Sequence, residues 1–166
     1  HFETEDYIKQ SGITYTILRN TMYADALTQI LGQNALRQNI NLPGGKGSVP
    51  YVLRREMGEA TANLLLEDGY YNKTYNIVGS QMYSYEDIAK ALQNVSTENI
   101  VYNDVSEDDF VKNLKEIGLP DFAIYLHAGT IKDIKNTQYE IDSNITELLL
   151  GRKTANVTSF LKELFN

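Results

Sequence analysis

Ile13-Thr14-Tyr15-Thr16-Ile17-Leu18-Arg19-Asn20-Thr21-Met22-Tyr23 is the stretch on which the fold turns. Its first six residues are β-branched, aromatic or aliphatic with no helical period, which predicts a buried strand over 13–18. The chain then turns polar at Arg19, Asn20 and Thr21 before Met22 and Tyr23. In an open parallel sheet, ligands bind beyond the carboxyl ends of strands, so this strand exit is a candidate site. Asn20 is suited to hold an amide such as a carboxamide, and Tyr23 to stack on or hydrogen-bond to a planar ring. An ordinary loop with Arg19 in an ion pair explains the same residues equally well.

Strand and helix signals alternate outward from this point. Phe2, Tyr7 and Ile8 predict a short helix that stops at Ser11-Gly12. Leu27, Ile30, Leu31 and Leu36 predict a helix over 24–36, residues 43–47 a loop, 49–53 a short extended stretch, and 55–66 a helix. A strand is expected over 73–78. Ser84 with Asp87 three residues later reads as a capping box for a helix through Leu92. A strand follows over 100–102, then a helix capped by Ser106 and stopped at Gly118-Leu119-Pro120. Residues 121–136 read as helix, 137–153 are ambiguous, and 157–165 form a last amphipathic helix. Such alternation implies a mainly parallel sheet with helices against it, an α/β fold.

Composition narrows the function classes. The chain has 166 residues, 42% of them hydrophobic and 22% charged, enough for a real core and unlike a disordered chain. Fifteen basic against 22 acidic residues leave a net charge of −7, which disfavours nucleic acid and anionic lipid as partners. Zero cysteines exclude disulfides, thiolate metal sites and a cysteine nucleophile. The aliphatic runs at Leu64-Leu65-Leu66 and Leu148-Leu149-Leu150 are far too short to span a bilayer. With no signal-peptide pattern, the expectation is a soluble, cytoplasmic chain.

Most other motif signals have plain readings. Gly44-Gly45-Lys46-Gly47 fails as a P-loop, because Ile40 and Gly47 stand where a glycine and a Ser or Thr are required, so a flexible connector is expected. G-x-G-x-x-G, H-E-x-x-H and G-x-S-x-G are all absent. His1 and Glu5 lack a second imidazole to complete a zinc site, and no metal site is expected. His127 reads as a cation near a helix end. Glu107-Asp108-Asp109 reads as acids favoured by a helix dipole rather than as a calcium loop. Arg54, at the start of the helix in Leu53-Arg54-Arg55-Glu56, is placed to hold a phosphate or carboxylate. On these residues alone an ion pair with Glu56 or Glu59 is slightly favoured.

Taken in order, several phrases resemble one family. They are His1-Phe2-Glu3-Thr4-Glu5, Ser11-Gly12, Tyr15 through Asn20, Tyr23, Arg54, Glu59-Ala60, Tyr75-Asn76-Ile77-Val78-Gly79, Val105-Ser106-Glu107 and Gly118-Leu119-Pro120-Asp121. The chain is similar to the NmrA-like atypical short-chain dehydrogenase/reductases, and most to the NAD(P)H:quinone oxidoreductases called type 2. The resemblance covers nearly the whole chain. It implies the carboxy-terminal part of a Rossmann-like parallel sheet plus a small α/β lobe that caps the substrate, with residues 1–83 in the former and 84–166 mainly in the latter, the last helix packing back. It further implies a chain without the glycine-rich opening half of its family, inactive alone, whose parent transfers hydride from NADP(H) or NAD(H) to a small quinone-like acceptor.

Under the resemblance, Asn20, Thr21, Met22 and Arg54 bind the cofactor, and Tyr23 is the catalytic residue. No tyrosine is followed four residues later by lysine, the proton-donor pair of the wider superfamily, and His1 falls where that lysine would stand. Some relatives sense the nucleotide without turnover, so an NADP(H)-sensing regulatory protein is the alternative. An uncovered parallel edge also makes self-association an expectation.

Overall fold

A computed structural model describes residues 1–32 and 34–165. Helix α1 (Phe2–Gln10) leads to strand β1 (Thr16–Asn20), a 3-10 turn (Ala24–Ala26) and helix α2 (Leu27–Leu31). Strands β2 (Ile40–Leu42) and β3 (Ser48–Val49) precede helix α3 (Arg54–Leu66) and strand β4 (Lys73–Ile77). The chain continues through β5 (Tyr83–Ser84), α4 (Tyr85–Gln93), β6 (Tyr102–Asp104), α5 (Glu107–Glu116), α6 (Asp121–Lys135), α7 (Ile145–Leu150) and α8 (Val157–Phe165).

The strands pair two by two. β1 lies parallel to β4, with Thr16 opposite Lys73 and Asn20 opposite Ile77. β2 lies parallel to β6, and β3 antiparallel to β5. The parallel alternation expected from the sequence is therefore present, with one antiparallel pair added. β1 begins at Thr16 and runs on to Asn20, so the polar exit is the end of the strand itself.

Two core clusters form. One gathers Val52, Met57, Ala60, Leu64 and Ile77 with Leu149 and Leu150, so that α7 packs on α3 and β4. The larger cluster surrounds Leu27, Tyr51, Tyr85, Ile88, Leu92, Ile131 and Phe160. α4 starts with the expected capping box: Ser84 Oγ accepts from the Asp87 N–H and Asp87 accepts from the Ser84 N–H. Ser106 Oγ accepts from the Asp109 N–H at 3.0 Å, and three acids occupy the first turn of α5, where the dipole favours them.

Three local readings are corrected. The helix expected over 24–36 passes through Gln33, which lies outside the described residues, and α2 ends at Leu31. Gly32 adopts φ +75°, ending the helix a turn before Leu36. Residues 44–47 are no flexible connector: Gly44 and Gly47 are buried, and a Cβ on Gly47 would collide with the Ile134 carbonyl. His127 lies in the middle of α6 rather than near a helix end.

Candidate active site

Loop 20–24 continues the line of β1. The Thr21 N–H donates to the Ile77 carbonyl at 3.0 Å, Tyr23 bridges to Val52 in parallel, and the Ala24 N–H donates to the Val52 carbonyl at 2.9 Å. The chain leaving β1 is thereby sewn first to β4 and then to the segment that opens α3. This brings Tyr23 to Arg54 across a sequence gap of thirty residues.

Asn20, Tyr23 and Arg54 meet in one open groove of about 490 Å³, floored by Met57, Gly58, Thr61, Ala62 and Leu65 of α3. The Arg54 guanidinium sits over the Tyr23 ring, 4.9 Å from its centroid. Arg54 has no carboxylate in an ion pair among the described residues. Arg152 instead pairs with Glu56 and Glu59, at 2.7 and 2.6 Å, and Arg55 with Glu163 at 2.6 Å. The helix start is closed to a further anion at one point, because Asp25 Oδ2 accepts the Arg54 N–H at 2.9 Å. What remains on offer is the Arg54 side chain, held by an aromatic face and still charged.

Thr21 and Met22 do not join this groove. Thr21 is half-buried and takes part through its N–H. Met22 lines a second groove of about 290 Å³, with Ile30, Leu126 and His127. Loop 20–23 therefore contributes to two grooves that share no lining residue, one lined by Arg54 and the other by no arginine or lysine among the described residues.

Arg19 lines neither. Its guanidinium forms a bidentate pair with Glu5, at 2.8 and 2.7 Å, and lies over the Phe2 ring. Lys9 adds a third contact at 3.3 Å. The Arg19 hydrogen bonds and then the Lys9 contact hold the Glu5 carboxyl at about 2, against an ordinary 4.5. The ion-pair reading of Arg19 is the one realised.

Sequence reasoning missed the α3 floor. Gly58, Thr61, Ala62 and Leu65 follow the i, i+3, i+4, i+7 spacing of one helix face, but such residues give no chemical clue. Among the described residues no group of three or more His, Asp or Glu side chains is placed to hold a metal. Nor is any described helix long and apolar enough to cross a membrane.

Known proteins resemble this arrangement over its whole length. The model of the NmrA-like family matches residues 1–160. Quinone oxidoreductase 2 of Escherichia coli is 30% identical, over 100% of this chain and 58% of the relative. The crystal structure of the NADPH-dependent quinone oxidoreductase of Escherichia coli complexed with NADPH superposes with a TM-score of 0.90 at 28% identity, covering 100% of this chain and 59% of that one. The Citrobacter sp. triphenylmethane reductase complexed with NADP(H) superposes at 0.88 with 28% identity, covering 99% and 57%. The fold is α/β and Rossmann-like, and the chain spans somewhat over half the length of these relatives.

Proposed function

Because the chain belongs to the NmrA-like family, we propose that it serves an NAD(P)H-dependent oxidoreductase that passes hydride to a quinone-like carbonyl acceptor. The observation that carries this reading is the groove at the carboxyl end of β1, where Arg54 has no ion-pair partner among the described residues and stacks on Tyr23 beside Asn20. An amide, an aromatic face and one available guanidinium suit the nicotinamide end of a dinucleotide, which carries a carboxamide, a flat ring and nearby phosphates. In this reading Asn20 holds the carboxamide, the Tyr23 ring orients the nicotinamide, and Arg54 meets the anionic side. The Thr21 N–H fixes the loop to β4, and Met22 lines a separate groove. The cofactor supplies the hydride, while the chain contributes orientation and charge.

The relatives support both parts of this reading: two solved neighbours were crystallised with NADPH or NADP(H), and one relative is a quinone oxidoreductase. A second reading, an NADP(H)-sensing regulator without turnover, draws on the lack of any tyrosine followed four residues later by lysine. The two separate in one assay. NADPH oxidation with added benzoquinone, by the protein as its gene encodes it, should exceed the buffer rate at least tenfold. Binding of NADPH without turnover would sustain the sensor instead.

Self-association belongs to the same proposal. β1 pairs only with β4 among the described strands. Phe2, Tyr7 and Ile13 are more than two-thirds exposed, and a bare parallel edge beside exposed apolar side chains favours a second chain.

A further inference from the structure

Gly58 stands inside α3, on the floor of the Arg54 groove, and the fold gives no reason for a glycine there. After proline, glycine is the poorest residue for a helix interior. Elsewhere in the chain a glycine answers to a positive φ, as at Gly32, or to a neighbour that a Cβ would strike, as at Gly47. Gly58 has neither: its φ is not positive, and a Cβ built on it meets no atom within 4 Å. Gly129 of α6 is the one other glycine of this kind among the described residues, and it lines neither groove beside loop 20–23. Arg54 precedes Gly58 by four residues, so both lie on one face of α3. Because Cα–Cβ bonds tilt toward a helix N-terminus, a side chain at 58 would lean toward Arg54, whose guanidinium covers the Tyr23 ring.

We propose that Gly58 is a specificity-determining residue of this groove: it lets a planar ring lie directly against the α3 backbone beside Tyr23 and Arg54. The inference rests on the nucleotide reading above, under which that ring is the nicotinamide. Glycine is the residue that allows a backbone and a ligand to approach this closely. A side chain at 58 would fill the depth that a flat ring needs and leave the rest of the dinucleotide untouched. Folding and binding therefore make opposite demands on this position, since alanine suits the helix and glycine suits the ring.

In the protein as its gene encodes it, Gly58→Ala should raise the melting temperature without nucleotide by about 2–4 °C, the gain from a better helix former. The same variant should bind NADPH about tenfold more weakly, the scale of a methyl group forced into occupied space. Gly58→Leu, also a good helix former, should weaken NADPH further without lowering the melting temperature. The fragment 2′,5′-ADP, which lacks the nicotinamide, should bind both variants as it binds the unaltered protein. Gly129→Ala supplies the comparison: it should gain a similar few degrees and keep full NADPH affinity. A lower melting temperature for Gly58→Ala would overturn the role, because the glycine would then serve packing. Unchanged NADPH affinity would overturn it too, as would an equal loss for NADPH and 2′,5′-ADP. No NADPH binding by the unaltered protein up to millimolar concentration would instead remove the nucleotide reading itself, and the role of Gly58 with it, whatever the variants do to the melting temperature.

Discussion

At the residue scale the account depends on which part of Tyr23 acts. Stacking uses the ring, whereas proton donation would need the hydroxyl. Tyr23→Phe should therefore keep NADPH affinity and turnover within about twofold, because the contact with Arg54 survives. Tyr23→Ala should weaken NADPH binding several-fold, since a cation–π contact at an exposed site is worth about 0.5–1 kcal/mol and the ring also orients the nicotinamide. Comparative titrations and steady-state rates of the two variants decide it. Equal loss in both would move the role to the hydroxyl. The strand exit was legible as a site because Asn20, Thr21 and Tyr23 follow an apolar run directly. The separate groove lined by Met22 was not, because adjacent loop residues diverge only once Tyr23 pairs with Val52. His127 was misread because a glycine two residues on suggested a helix end, whereas α6 continues through Gly129 to Lys135.

Among the elements, α1 is held to β1 through Arg19, which pairs with Glu5 and lies over the Phe2 ring. Glu5, only 8% exposed, ties it to β1 through Arg19. The folded carboxyl titrates at about 2 against 4.5 for the ordinary group, so the paired, charged form is favoured on folding. This contribution is complete above about pH 4.5 and is lost as the pH falls towards 2. Amide exchange across α1 should accelerate over that window while α4 stays protected, and Glu5→Gln should accelerate it already at pH 7. Residues 44–47 show the opposite case. Gly47→Ala should destabilise the protein by about 2 kcal/mol or more in a thermal or denaturant melt, because the new Cβ meets the Ile134 backbone and not a yielding side chain. The ambiguous 137–153 segment follows the same logic. α7 is fixed by long-range bonds, with buried Thr146 Oγ1 accepting from the Val78 N–H at 3.0 Å. Beyond α7, Arg152 reaches the buried Glu56 carboxylate, which also accepts from the Ala155 N–H. Those partners lie 68 to 99 residues apart, beyond any local pattern. By contrast, the capped helices α4 and α5 were readable from the serine–aspartate spacing alone.

For the whole molecule, alternating strand and helix signals were sufficient for the fold class, and the order of short phrases was sufficient for the family. The pairing of strands two by two was not readable, since which strands become neighbours is decided by packing across the chain. The central claim is that the groove of Asn20, Tyr23 and Arg54 receives a nicotinamide dinucleotide. Titration of the protein as its gene encodes it with NADPH, followed by nucleotide fluorescence and repeated for Arg54→Ala, tests that claim most directly. The expected result is micromolar binding that weakens about tenfold in the variant, the loss of roughly one charge-assisted contact at 1.4 kcal/mol. No binding up to millimolar NADPH, or equal affinity with and without the Arg54 side chain, would contradict it.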